Sequence, residues 1–425
     1  MKIAFVIQRY GTEVLGGAEQ LCRLLAERLA EQHDIDVLTT CARDYITWKN
    51  EYPEGPDRVR GVTVRRFANA QTRDLQAFDK YSGWIYEHQH SRADEMEWLK
   101  QQGPWSPALI EHLRRQQQQY DVLVFFTYLY APTVLGLEVC RERSVLVPMA
   151  HDEPPIYLGI FKEVFSRPAA IVYNTESERR FVKAAFPDRP LLEEVGGVGV
   201  DLPQHNPYPR MPEPPDEESG EASAEANESA GTSTFPSHLT ARGAVFRRRH
   251  RLHGPLVLYG GRIEPGKGCE ELLEHFDAYV GDGGDATLAL MGVKMMSLPE
   301  DPHVRFAGLL SERERVQALE AADVVVCPSP YESLSLLALE AMSVGTPVLA
   351  NARSEVLVEH CVRSNAGLYY ASRDEFVECL KLLMGDAALR AAMGRNGRDY
   401  VRRNYRWDAV LAKYERVFAK IRNAR

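Results

Sequence analysis

Twice along this chain, short apolar runs alternate with amphipathic helical stretches, and a segment too polar to pack lies between the two series. The first series runs "KIAFVIQ", "AEQLCRLLAERLAEQ", "IDVLTT", "VTVRRF", a long helical region, "DVLVFFTYLY", "SVLVPMAHD" and "AAIVYNTE". In its first helix Leu21, Leu24, Leu25 and Leu29 recur on one face. The second runs "PLVLYGGR", "CEELLEHFDAYV", "TLALMGV", "VRFAGLL", "ERERVQALEAA", "DVVVCPS", "LSLLALEAMSVG", "TPVLAN" and "AGLYY". Strands alternating with helices predict mainly parallel sheets covered on both faces, so the fold class is α/β with two Rossmann-like domains. Sheets of this kind bind ligands at the carboxyl ends of their strands, which makes the cleft between the domains the expected site.

The boundaries follow from the break in pattern. Residues 1–200 form the N-terminal, acceptor-side domain, residues 201–254 the linker and residues 255–404 the C-terminal domain. A closing helix at about 405–425 is expected to rejoin the first domain. "PYPRMPEPPDEESGEASAEANESAGTSTFP" is too poor in large apolar side chains to offset the entropy of ordering it. Between Met211 and Ala230 it holds Glu213, Asp216, Glu217, Glu218, Glu221, Glu225 and Glu228 without one Lys or Arg. This segment carries most of the excess behind a net charge of −9, from 51 basic and 60 acidic side chains in 425 residues. That balance argues against a nucleic-acid partner. "FRRRHRLHG", next along, reads as a solvated helix face.

The seven cysteines include no C-x-x-C pair, so neither a disulfide framework nor a zinc site is expected. Asp34-Ile35-Asp36 is a formal D-x-D at the entrance to a strand, and no metal is assigned to it. The chain opens directly on an apolar strand, and no apolar run approaches the roughly 20 residues a spanning helix needs. A cytoplasmic location is expected, with peripheral contact at the inner face of a membrane left open. Trp84 and Trp105, in the long helical region, read as core more readily than as contacts to a lipid carrier.

"YGGRIEPGKGCEEL" nearly spells a P-loop, with Gly261, four residues, Gly266-Lys267 and then Gly268 in place of the hydroxyl that would hold Mg²⁺. No Walker-B-type Asp ends a later strand. Arg262 and Lys267 can instead meet a diphosphate near the N-terminus of the following helix, in the role of a metal. "YESLSLLALEAMSVGTPVLA" sets Glu332 in a loop and Glu340 eight residues on, inside an otherwise apolar helix. A carboxylate there is costly unless it is paired.

Together these segments resemble the retaining glycosyltransferases of family 4, whose fold is the two-domain GT-B type. "GGRIEPGKG" is similar to that family's G-G-R-x-x-x-x-K-G segment and "ESLSLLALE" to its E-x7-E segment. Gly16-Gly17 in "VLGGAEQL", His151-Asp152 at a strand end, "AAIVYNTESE" and "YRWDAVLAKYERVF" extend the likeness over almost the whole chain. The resemblance implies a hexose transferred, with retention, from a UDP or GDP type sugar to a glycan or lipid-linked acceptor hydroxyl, with no cofactor beyond the donor. By the same resemblance Gly16, Gly17 and Gly261 give the donor diphosphate close approach to backbone, and Arg262 and Lys267 neutralise it. Backbone N–H groups at Leu334, Ser335 and Leu336 address its phosphates, and Glu340 takes the ribose hydroxyls. Glu332 contacts the transferred sugar, with His151 facing it across the cleft. Leu334 stands where members often carry Phe, which leaves the donor sugar open. A nonhydrolysing nucleotide-sugar epimerase and a catalytically silent sugar-nucleotide-binding subunit are the rival readings.

Overall fold

The computed structural model describes residues 1–14, 16–190, 192–201 and 240–424. The acidic segment of the expected linker therefore lies outside the described residues. Among the described residues fourteen strands fall into two sheets. The first holds β1 (Lys2–Val6), β2 (Asp34–Thr40), β3 (Gly55–Val59), β4 (Val62–Phe67), β5 (Val122–Phe126), β6 (Ser144–Val147), β7 (Ala170–Tyr173) and β8 (Glu193–Val195), in the order β3-β4-β2-β1-β5-β6-β7-β8. Only β3 runs antiparallel to its neighbour. The second holds β9 (Leu256–Ile263), β10 (Thr287–Lys294), β11 (Val304–Gly308), β12 (Val324–Cys327), β13 (Val348–Asn351) and β14 (Gly367–Tyr370), all parallel, in the order β11-β10-β9-β12-β13-β14.

Both orders reverse direction once, between β1 and β5 and between β9 and β12. At such a switch point the helices after neighbouring strands part to opposite faces and leave a crevice at the carboxyl ends. β5, β6, β7, β12 and β13 are buried along their whole length, as expected of strands covered on both sides.

The helix Trp407–Asn423 packs on β5, β7 and β8. It buries Val410, Tyr414, Val417, Phe418 and Ile421, and the Tyr414 hydroxyl donates to the Gly197 carbonyl at 3.2 Å. Within the span expected as linker, residues Ala241–His250 form a helix on the C-terminal unit. Arg247, expected to be solvated, is fully buried. It donates to the Ala321 carbonyl and to Asp323, each at 2.9 Å, which offsets the cost of burying its charge. Trp84 also departs from expectation. It is 38% exposed, because the helix Leu75–Glu87 buries only Ser82 and Ile85, whereas Trp105 packs partly against the core. No helix among the described residues is long and apolar enough to cross a membrane.

Candidate active site

After β1 the chain turns into the helix Gly17–Leu29, whose first residues lie at the first sheet's switch point. The two glycines do different things. A Cβ on Gly16 would lie 2.1 Å from the Glu19 carboxylate, so that position is small to admit a side chain of the same helix. A Cβ on Gly17 would meet nothing within 4 Å, and the bare backbone there faces open space. Gly17 alone has the form of a cradle for a ligand. Glu19 is buried and satisfied by Gln8 Nε2 at 3.0 Å and by Arg9 Nε at 2.9 Å.

In the second unit, β9 delivers Arg262 at its end. Its guanidinium lies 3.2 Å from Glu264 Oε1 and 4.8 Å from the centroid of the Tyr45 ring, which comes from the N-terminal unit. Tyr45 donates its hydroxyl to Glu264 Oε2 at 2.9 Å, so an aromatic ring and a carboxylate clamp the arginine from both domains. Burial works to lower the pKa of Arg262, but Glu264, Tyr45, Tyr130 and Glu19 together outweigh it, and the group is held charged. Gly261 sits beside it at φ +146°, a region that favours glycine.

Lys267 closes the short 3₁₀ turn Pro265–Lys267, and its Nζ lies 3.0 Å from Glu332 Oε1. Gly268 follows at φ +73° and caps the helix Cys269–Gly281. A Cβ on Gly268 would sit 2.4 Å from the Pro328 carbonyl oxygen. A P-loop hydroxyl therefore has no room at position 268, which is a steric reason for the missing Ser or Thr.

Beyond β12 the loop carries Glu332 and ends at Ser335, in the left-handed conformation at φ 61°, before the helix Leu336–Val344. No side chain caps that helix, so its first N–H groups and the positive end of its dipole are free for an anion among the described residues. Leu334 is buried, and its carbonyl lies 2.7 Å from His360 Nε2, while His360 Nδ1 lies 3.0 Å from the Tyr400 hydroxyl. His360 thus fixes the turn before the helix. Glu340, one helical turn further in, lies 2.6 Å from Arg315 Nη2. Burial raises its pKa and Arg315 opposes that rise.

His151 follows β6 and stacks on Tyr331 of the C-terminal unit, with ring centroids 5.4 Å apart, while its Nε2 lies 3.3 Å from Glu153. Its Nδ1 is buried with no hydrogen-bond partner among the described residues. Glu178 anchors this loop by accepting from the Ala150 and Asn174 N–H groups, each at 2.6 Å, and burial pushes its carboxyl up to about 7.

Arg262, Lys267, Glu332, Ser335, Leu336 and Gly17 are thus brought to the two facing switch points, with His151 at the neighbouring end of β6 and Glu340 behind them. Asp34 and Asp36 go elsewhere: Asp36 lies 3.6 Å from Lys2 and accepts from the Tyr120 hydroxyl, at the opposite end of the sheet. Arg315, Glu264, Tyr45 and His360 escaped the sequence reading. Arg315, Tyr45 and His360 lie far along the chain from the residues they touch and no motif marks them, whereas Glu264 stands two residues from Arg262 inside "GGRIEPGKG" and was passed over beside the two cations.

Residues 245–400 match the family described as glycosyl transferases group 1. The chain is 25% identical over 298 residues to the D-inositol 3-phosphate glycosyltransferase of Jonesia denitrificans, covering 65% of this chain and 63% of that one. It is 26% identical over 172 residues to the GDP-mannose-dependent monoacylated alpha-(1-6)-phosphatidylinositol monomannoside mannosyltransferase of Corynebacterium glutamicum, covering 37% and 45%. The match thus spans less than two thirds of either relative. Among solved structures, sucrose-phosphate synthase from Thermosynechococcus elongatus superposes with a TM-score of 0.68 at 17% identity, covering 100% of both chains. Anabaena HepE in complex with UDP and glucose superposes with a TM-score of 0.68 at 16% identity, covering 99% of this chain and 100% of that one. Such likeness fixes the architecture as GT-B.

Proposed function

Starting from a chain whose residues 245–400 match the glycosyl transferases group 1 and which carries the GT-B architecture, we propose that it transfers a hexose from a nucleoside-diphosphate sugar to an acceptor hydroxyl with retention at the anomeric carbon. One observation carries the reading. Two cations, Arg262 and Lys267, stand with the uncapped N-terminus of Leu336–Val344 at the carboxyl ends of the adjacent strands β9 and β12. That arrangement suits a group on which negative charge grows as it leaves, which is where fixed positive charge lowers a barrier most.

In this reading the diphosphate lies between the open backbone at Gly17 and those two cations. The bond from the anomeric carbon to the phosphate oxygen breaks, and a bond to the acceptor oxygen forms on the same face. The acceptor proton passes to the departing phosphate oxygen. Glu332 turns from Lys267 toward the sugar hydroxyls, and His151, fixed against Tyr331, bounds the sugar from the other domain. Support comes from the fold neighbour HepE, described with UDP, glucose and UDP-glucose bound, and from a mannosyltransferase relative described as GDP-mannose-dependent. The acceptor is a glycan or lipid-linked hydroxyl, and the donor base is uridine or guanosine.

The test is to incubate the full chain with UDP- and GDP-hexoses and candidate acceptors, follow nucleotide release, and read the product's anomeric configuration by NMR. α-Linked donors should give α-linked products. An inverted product would overturn retention, interconverted sugar nucleotides would indicate an epimerase, and binding without turnover a silent subunit. Turnover should persist in EDTA, because Arg262 and Lys267 fill a metal's role. Loss in EDTA with restoration by Mg²⁺ or Mn²⁺ would contradict this.

A further inference from the structure

The ion pair behind the site raises a question of chemistry. Glu340 sits in the helix Leu336–Val344, whose remaining side chains are apolar apart from Ser343, and Arg315 reaches it from the helix Glu312–Ala321. The guanidinium engages Oε1 at 2.6 Å, and among the described residues no hydrogen bond forms to Oε2. A carboxylate fixed in this way presents one oxygen, at a set angle, with full acceptor capacity. We propose that Arg315 is a positioning residue for donor binding, holding Glu340 in the form and orientation that takes the ribose hydroxyls. The inference rests on the reading of Glu340 as the ribose acceptor and adds the residue that makes it fit for the task.

The surroundings give Arg315 a particular weight. Glu312, on the same helix, and Asp201, from the connection after β8, both act to protonate Glu340, and Arg315 is the group that opposes them. Those two acids have partners of their own. Arg28 pairs with Asp201, while Arg23 and Arg60 reach Glu312 at 3.5 and 3.4 Å. From the opposite side, the helix Ala387–Asn404 sends Arg398 to the Val344 carbonyl, at the C-terminal end of the Glu340 helix. Removing Arg315 leaves a carboxyl pressed by burial and by two acids with its nearest cation gone. A protonated Glu340 gives up one acceptor oxygen to its own proton. Donor binding should then weaken as pH falls.

The experiment measures UDP and GDP affinity of the full chain by calorimetry between pH 5.5 and 8.5, with every variant compared to wild type at the same pH so that titration of the nucleotide cancels. R315L should bind more weakly than wild type at the acid end of this range, by at most about tenfold for each unit by which the Glu340 pKa rises, and approach wild type at pH 8.5. R315K should keep a flat ratio. In an E340Q background the R315L effect should lose its pH dependence. R315L at wild-type affinity throughout would overturn the proposal, and so would an equal loss at every pH, which marks a packing defect. If E340Q itself binds both nucleotides as wild type does, the ribose assignment fails first, and the Arg315 proposal falls with it.

Discussion

The two facing crevices are built from different materials. On the N-terminal side, beside the buried pair of Arg9 with Glu19 and that of His151 with Glu153, the strand ends carry unpartnered polar atoms and open backbone: Gln8 Oε1 after β1, Thr127 Oγ1 after β5, His151 Nδ1 after β6 and Asn174 Oδ1 after β7 are buried atoms without a partner among the described residues. On the C-terminal side the groups are charged and coupled in pairs, Arg262 with Glu264, Lys267 with Glu332 and Arg315 with Glu340. A pair of this kind is already satisfied, so a ligand must be shared into it, whereas an unpaired polar atom waits for one. The C-terminal crevice is therefore suited to a charged donor and to charge that moves. The other is suited to orienting hydroxyl groups.

The sharpest way to break that contrast is to remove the cations. R262A and K267A should each lower kcat on the order of 10² or more, because they stabilise charge that appears only as the diphosphate leaves. Near wild-type turnover in folded protein, confirmed by circular dichroism, would mean that the diphosphate lies elsewhere. E332Q should cost about tenfold in turnover and reduce discrimination among donor sugars, with affinity for the free nucleoside diphosphate unchanged. Parallel binding and rate measurements separate the two effects.

Gly17 sharpens the comparison from the neutral side. G17A should leave the melting temperature at or slightly above wild type, since alanine favours a helix over glycine by about 1 kcal/mol or less and no atom lies within 4 Å of the new methyl. It should nevertheless weaken UDP or GDP binding. G16A should destabilise the fold by pressing on Glu19, and equal behaviour of the two variants would erase the distinction drawn between them.

His151 should give the smallest effect. Burial works against its charged form, but Glu153 and Glu332 outweigh burial, with Lys267 opposing them, so its pKa stands above the ordinary histidine value. A raised value gives stability that is fully present below the unfolded pKa, about 6.5, and lost as pH rises through the folded one. The advantage of wild type over H151Q in urea midpoint should therefore shrink as pH rises from about 5.5 to 8. A constant difference would mean that the ring acts only by packing on Tyr331.

Much of this was legible in order and little of it in partnership. The alternation of apolar runs gave the strands of both sheets except β3 and β8, and the reasons differ. "GPDRV" is an exposed edge carrying a proline, with no apolar period, and "EEV" is three half-buried residues. At Ala241–His250 a helix was legible but its buried side was not, because three consecutive arginines read as solvated and only tertiary structure shows Arg247 satisfied inside. In the site, Arg262, Lys267 and Glu332 were readable because glycines and spacing mark their loops. Glu340 was recognisable as a charge in need of a partner, but its partner lies 25 residues upstream on another helix. Gly16 was recognisable as a glycine, though its reason, the Glu19 carboxylate, is visible only in space.

The helix Trp407–Asn423 has a consequence in time. The chain supplies all eight strands of its first sheet within its first 200 residues, yet Tyr414, Phe418 and Ile421 belong to the core that covers that sheet. During synthesis the second unit can close around its own strands while the first still exposes the surface those side chains will bury. The N-terminal unit is completed only after the C-terminal unit has been made.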